Sequence, residues 1–266
     1  SQNCLTSLDI QHKIAFKKLS SLNISRNSIT HIHPFVFSNL SSLDTVDLSH
    51  NHLLRFLAAD FEIKRLHIND NRLTQVEIDS RHHKELKLLD ASNNDLKIFQ
   101  INVDLNNLVL SGNQLTAMDN EYFSIRNVYG TLDLSENHIS EFNWKFITCT
   151  TNLNLARNHI AMFQIECPSS KRFQRVKRLN LDGNFMCNLL HRVPALLKCL
   201  PNLKFISLMH NRLNKAEKIQ LKAELTRHRV QSQVFDYDAT QITPCHADDD
   251  DDVCIAINFF HRLNHK

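Results

Sequence analysis

Apolar and polar positions recur along most of this chain in one eleven-residue pattern. In LDTVDLSHNHL (43–53), positions 1, 4, 6 and 11 are apolar and position 9 is asparagine. Side chains of an extended strand alternate between faces. Val46 and Leu48 therefore point inward together, and Thr45, Asp47 and Ser49 point outward. The same frame reads LSSLNISRNSI (19–29), IKRLHINDNRL (63–73), LKLLDASNNDL (86–96) and LNNLVLSGNQL (105–115). It continues as YGTLDLSENHI (129–139), TTNLNLARNHI (150–160), VKRLNLDGNFM (176–186) and LKFISLMHNRL (203–213). Each frame predicts a short strand followed by a turn that carries its first and last apolar residues into a core.

The frame asparagines are Asn27, Asn51, Asn71, Asn94, Asn113, Asn137, Asn158, Asn184 and Asn211, spaced 19 to 27 residues apart. That period belongs to leucine-rich repeats. An asparagine side chain donates and accepts, so it can satisfy turn backbone groups in its own coil and the next one. A leucine there would leave such groups buried and unpaired, at about 1–3 kcal/mol each. One coil cannot bury its own apolar side and needs a neighbour above and below. The expected fold is an α/β solenoid: a horseshoe with a parallel sheet on its concave face, a mostly irregular or 3₁₀ convex side, and a helical, disulfide-containing C-terminal cap.

NCLTSLD at the start resembles the coil tails NRLTQVE (71–77) and NQLTAMD (113–119), and Asn3 lies 24 residues before Asn27. The solenoid is expected to span 1–213 and to begin inside a repeat, with a cap region over 214–266. The return segments carry Phe35, Phe37, Phe56, Phe61, Phe99, Tyr122, Phe123, Phe142, Phe146 and Phe163, read as convex core filling. CNLLHRVPALLKCL (187–200) has helical apolar spacing and predicts a short helix or two, with Pro194 breaking or starting one. Asn214 and Glu217 form a capping signal for a helix over AEKIQLKAELTRH (216–228), whose apolar face pairs Ile219 with Ala223 and Leu221 with Leu225. QSQVFDYDA reads as a strand or extended piece of the cap.

The outward strand positions are the natural binding surface of such a fold. The fifth-position lane holds Asp47, His67, Asp90, Asp133 and Asn154; the eighth-position lane holds His50, Asp70, Asn93, Glu136 and Arg157. Both are polar and of mixed sign, fit for a protein or glycan. A solvated sheet face has the same polarity. Sixteen histidines make a pH-responsive surface conceivable. His31/His33 and His50/His52 are spaced for a metal if they lie on strands. The sequence points to no metal, no cofactor and no catalytic residue. Enzyme signatures such as G-x-S-x-G, H-E-x-x-H and the P-loop are missing.

Composition narrows the class. Net charge is +3, and Asp248–Asp252 concentrate five negative charges in what reads as a solvated loop. This is not a nucleic-acid footprint. Only three glycines exclude phosphate-cradling loops, and no apolar run reaches membrane-spanning length. The seven cysteines include no Cys-x-x-Cys pair, which argues against zinc and for disulfides in an oxidising compartment. The expected bridges are Cys245–Cys254, Cys187–Cys199 and, across neighbouring coils, Cys149–Cys167, although sequence leaves connectivity open. Cys4 is the expected unpaired cysteine, and a dimer is expected through Cys4 or the terminal region. Asn23 and Asn39 begin N-glycosylation sequons.

Over residues 3–213 the frames resemble the extracellular leucine-rich repeat family. The irregular coil lengths are most similar to insect members, among them the mosquito leucine-rich repeat immune proteins. GNFMC (183–187) resembles the GN-x-x-C step that closes their repeats. The resemblance implies a secreted protein of innate immunity that joins another leucine-rich repeat protein by disulfide and holds a complement-like thioester protein. Two departures stand out: a ninth frame follows GNFMC, and there is no double-cysteine step or heptad tail. A Toll-type receptor ectodomain fragment and a salivary or matrix protein that binds host protein or glycan remain the alternatives.

Overall fold

A computed structural model of the chain describes residues 4–8, 17–38, 40–58, 63–78, 86–118, 122–142, 149–162 and 175–235. Each frame forms its strand where the alternation places it. The frame strands are β2 (Ser21–Asn23), β4 (Thr45–Asp47), β6 (Arg65–His67), β8 (Leu88–Asp90), β9 (Phe99–Val109), β10 (Phe123–Asp133), β11 (Asn152–Asn154), β12 (Arg178–Asn180) and β13 (Phe205–Ser207). With β14 (Gln231–Gln233) they form one ten-stranded sheet in the order β14-β13-β12-β11-β10-β9-β8-β6-β4-β2, every pair parallel. The register is in step: Leu22 lies beside Val46, Val46 beside Leu66, and Leu66 beside Leu89. Val46 and Leu48 are fully buried.

The asparagines join the coils. Asn137 donates from Nδ2 to the carbonyls of Leu134 and Ser135 in its own turn, and of Leu110 in the coil before. Its Oδ1 accepts from the Leu115 amide, also in the preceding coil, at 3.1 Å. The Oδ1 contact recurs at all nine positions, from Leu5 N on Asn27 to Met186 N on Asn211. The expected bridge to the next coil therefore runs to the previous one. Residues 4–8 stack as a coil tail: Ser28 N donates to Leu5 O, and β1 (Ser7–Leu8) pairs with β3 (His31–Ile32).

The convex side differs from expectation. Besides β3, it carries β5 (Arg55–Ala58) and β7 (Gln75–Ile78), which pair in parallel, and β9 and β10 run eleven residues each into the frame strands. Phe56 and Ala58, Val76 and Ile78, and Phe99, Ile101, Val103 and Leu105 are buried alternately. That period-two pattern drives strand formation. Register shifts in the β9–β10 pair fall at Ile125/Asn127 and Val128/Thr131. Among the described residues a single 3₁₀ helix occurs, Leu190–Arg192. Phe37, Phe56, Phe99, Phe123 and Phe142 fill the core, whereas Phe35 and Tyr122 are exposed. Phe61, Phe146 and Phe163 lie outside the described residues.

After the eighth frame, α1 (Val193–Cys199) has Pro194 in its first turn, where no amide is needed. Beyond residue 213, α2 (Lys215–Arg227) buries Leu221 and Leu225 and exposes Ile219, and the sheet continues into β14. Half of the capping signal forms: Asn214 Oδ1 accepts from the Glu217 amide at 2.9 Å. The buried Glu217 carboxylate instead accepts from the Leu189 amide, tying α2 to the loop before α1.

Two expected disulfides are corrected. Cys149, Cys187 and Cys4 are free thiols, and Cys199 is disulfide-bonded. Cys187–Cys199 is therefore not a bridge, because Cys199 is bonded elsewhere. Cys149–Cys167 is not one either: the Cys149 thiol donates to Asn127 Oδ1. Cys167, Cys245 and Cys254 lie outside the described residues.

The tenth frame position forms a flanking stack. His138 and His159 rings stack at 5.3 Å between centroids, His159 and Phe185 at 5.6 Å, and the Arg212 guanidinium lies 4.7 Å from the Phe185 centroid. Burial pushes the His159 imidazole below its ordinary 6.5, and His138 pushes it the same way.

Outcomes are expected at four positions. Asn137→Leu leaves the Leu115 amide unpaired in the core and removes one of the two donors to the Leu110 carbonyl, so denaturant titration should show a loss of about 1–3 kcal/mol. Lys97→Leu on the surface should change stability by less than about 0.5 kcal/mol. Glu217→Leu should cost about 1–3 kcal/mol, and Glu217→Gln, which keeps an acceptor, clearly less. The folded state resists a proton on His159 that the unfolded chain accepts, so its contribution is complete above the ordinary imidazole range and declines as pH falls through it. The drop in melting temperature from about pH 7.5 to about pH 5.5 should be smaller in His159→Phe than in the parent.

Candidate functional site on the concave face

Frame positions 3 and 5 project from the open face of the ten-stranded sheet. The parallel register sets fifth-position residues side by side, about 4.8 Å apart. Asn23, Asp47, His67 and Asp90 are consecutive neighbours. Val109, Asp133, Asn154, Asn180 and Ser207 continue the row. Asn23 Nδ2 donates to Asp47 Oδ2 at 3.0 Å. A glycan on Asn23 would sit on the edge strand of this face and replace that bond; Asn39 lies outside the described residues.

Several fifth-position groups also hold the fold. Asp47 Oδ1 accepts from the Ser49 amide at 3.0 Å and from its hydroxyl at 2.7 Å. Asp90 does the same with Ser92, and Asp133 with Ser135. Asn154 and Asn180 accept from the amides of Ala156 and Asp182. These contacts cap the turn that follows each strand. The signal in the sequence is the Asp-x-Ser spacing, repeated three times.

The eighth-position lane is a row of left-handed turn residues. Arg26, His50, Asp70, Asn93, Glu136, Arg157 and His210 have φ between 53° and 56°, and Gly112 and Gly183 have 66° and 65°. Non-glycine residues adopt this region at a cost of about 1–2 kcal/mol. The turn makes the cost worthwhile because its amide extends the parallel ladder: His50 N donates to Asn69 O, and Glu136 N to Ala156 O. The side chains then line one rim of the face. Asn93 Nδ2 donates to Asp70 Oδ1 at 3.0 Å, and His50 Nε2 lies 3.7 Å from Asp70 Oδ2. Arg157 pairs with Glu136 at 2.7 Å. These pairs are exposed, worth at most about 1 kcal/mol each, and leave the lane open to a competing ligand.

The third-position lane was missed as a site, although the same alternation predicts it. It holds Arg65, Leu88, Asn107, Thr131, Asn152, Arg178, Phe205 and Gln231. Arg65 Nε donates to Thr45 Oγ1 at 3.1 Å, and Arg178 lies over the Phe205 ring at 4.6 Å. Half-buried Leu88 and Phe205 give the face apolar points. At the upstream rim, the Lys64 ammonium beside Asp44, 2.9 Å away, holds that carboxyl below the usual carboxylate range.

Metal pairing of histidines finds little support. His50 and His52 lie in a turn rather than on a strand, so they do not share a sheet face. The His33 ring instead packs against Phe35, with centroids 5.9 Å apart. Among the described residues no group of three or more His, Cys, Asp or Glu could hold a metal ion. Among the same residues no helix is long and apolar enough to cross a membrane. Asp248–Asp252 lie outside them.

Comparison with known proteins agrees with this architecture. The family model described as Leucine rich repeat matches residues 1–53. The chain is 27% identical over 195 residues to Chaoptin of Drosophila melanogaster, covering 60% of this chain and 15% of that protein. It is 27% identical over 267 residues to Podocan-like protein 1 of Homo sapiens, covering 86% of this chain and 52% of that protein. The chain thus spans about half of the second relative and a smaller part of the first. A structure of the LRIM1/APL1C complex is similar with a TM-score of 0.61 at 22% identity, over 86% of this chain and 41% of that chain. The leucine-rich repeat domain of APL1B is similar with a TM-score of 0.61 at 21% identity, over 93% and 68%. At these identities the structural likeness is one of fold. Nine frames, nine asparagine corners and one parallel ladder agree with these matches: the chain carries leucine-rich repeats and folds as a leucine-rich repeat solenoid.

Proposed function

We propose that this chain is the repeat domain of an extracellular binding protein, which holds a protein partner on its concave sheet. The observation that carries the reading is the ladder itself. Ten parallel strands present third- and fifth-position side chains at fixed spacing, with charges of both signs beside half-buried Leu88 and Phe205. A polar face with a few apolar points suits a protein surface. The disulfide at Cys199 and the sequon at Asn23 support an oxidising, secretory route. The role is binding and not catalysis.

The finer reading places the protein in insect innate immunity. Its partner is another leucine-rich repeat protein, a complement-like thioester protein, or both. Support comes from the frame resemblance, GNFMC, and the fold shared with a chain of the LRIM1/APL1C complex. Exposed Cys4, a free thiol, is the candidate for a disulfide link to such a partner.

His67 and Arg157 face the partner and cap no turn, whereas Asp47 does both. In pull-down from insect haemolymph, with bound proteins identified by mass spectrometry, the parent should recover a thioester or leucine-rich repeat protein. His67→Glu with Arg157→Glu should weaken capture at least about tenfold, about 1.4 kcal/mol, with the melting temperature nearly unchanged. Asp47→Lys should lower both. Recovery of neither protein class contradicts the immune reading, and unchanged capture by the double variant moves the site off the concave face.

A further inference from the structure

A cleft of about 490 Å³ opens across the upstream ends of β11, β12, β13 and β14. Lys177, Arg178, Lys204 and Arg229 line it, and all four are exposed. Backbone bonds set them on three successive coils, Lys177 and Arg178 sharing the first: Lys204 N donates to Lys177 O at 2.8 Å, and Gln231 N to Lys204 O at 2.9 Å. Adjacent coils lie about 4.8 Å apart, so the cations form a row and do not converge on one point. Among the described residues none of the four has a carboxylate partner. The same rim is different five coils before Lys177, because Lys64 there is paired with Asp44 at 2.9 Å. Like charges stacked at strand spacing repel one another, and a ligand with anions in series relieves that repulsion. Arg178 lies over the Phe205 ring at 4.6 Å, a contact that restrains its guanidinium at the cleft.

We propose that this cleft binds an acidic glycan, a sugar chain bearing sulfate or carboxylate groups. It goes beyond the protein-binding role and stands without it. The row of cations takes the anionic substituents along three successive coils, with Lys177 and Arg178 on the first of them. Thr151, Asn152 and Gln231, which also line the cleft, supply hydroxyl and amide groups for sugar hydroxyls. An acidic peptide fits less well. Extended peptides gain much of their affinity from free backbone groups, and the backbone amides at this rim are already used. Lys177 N and Arg178 N both donate to Thr151 O, and Lys204 N and Phe205 N both donate to Lys177 O.

The test is titration of the full chain with heparin as the probe, across a salt series. Dextran and poly-glutamate serve as neutral and peptide comparisons. The triple variant Lys177→Gln, Lys204→Gln, Arg229→Asn should bind heparin at least about tenfold more weakly, with a shallower dependence on salt. Asparagine is used at 229 because the backbone there has φ 60°. Arg227→Gln, on α2 and paired with Glu224, should bind as the parent does. Dextran should not bind. All four side chains are exposed, so the triple variant should melt with the parent; if it does not, Lys204→Gln alone should still weaken heparin binding about threefold. Heparin binding by the triple variant within twofold of the parent overturns the proposal. So does poly-glutamate binding as tight as heparin and lost in the triple variant, which would make the cleft a site for acidic protein.

Discussion

An amide side chain that bonds in two directions is the constraint on which this structure depends. Each frame asparagine closes its own turn through Nδ2 and accepts, through Oδ1, the position-11 amide of the coil before. The turns are buried, so these groups have no water to fall back on. The asparagine thus supplies what the core would otherwise lack: partners for polar backbone at the one corner where the strand ladder has ended. Stacking becomes a sum of equivalent neighbour contacts, as expected of a linear repeat array. The left-handed residue just before each asparagine is part of the same device. It turns the chain sharply enough for the side chain to reach the previous coil, and it spends a little conformational strain at the seven of nine positions that are not glycine.

The concave wall was legible because its physics is local. Alternation fixes which side chains face in, and one asparagine per period fixes the corner. What escaped the sequence was of three kinds. The convex strands escaped because the alternation through Phe99, Ile101, Val103 and Leu105 carries no asparagine corner and reads as scattered apolar filling. The double duty of Asp47, Asp90 and Asp133 escaped because polarity at an outward position reads as ligand-facing, while Asp-x-Ser at the strand end is turn chemistry. The disulfides escaped because pairing depends on where coils bring cysteines, and spacing along the chain says little of that. Cys149 meets an asparagine and not a thiol.

A division of labour follows along the face. Fifth-position aspartates serve the fold first and a ligand second. His67, Arg157 and the third-position residues have fewer structural duties and are freer to serve recognition. Toward the C-terminal end the balance of charge shifts, and Lys177, Lys204 and Arg229 stand uncompensated where earlier coils pair Lys64 with Asp44. One solenoid can therefore offer a mixed, protein-like surface over its middle coils and a basic rim at its last ones. The two surfaces share Arg178 and Phe205, which belong to both the third-position lane and the cleft.

Residue-resolved hydrogen exchange of the intact chain tests the corner lock directly. The amides of Leu53, Leu73, Leu96, Leu115, Ile139 and Ile160, all donors to an asparagine Oδ1, should exchange only with cooperative unfolding. The amides of Ser41 and Ser42, in an exposed turn, should exchange rapidly under the same conditions. If the asparagine-bonded amides exchange as fast as those of Ser41 and Ser42, the corners do not hold the coils together and the account fails.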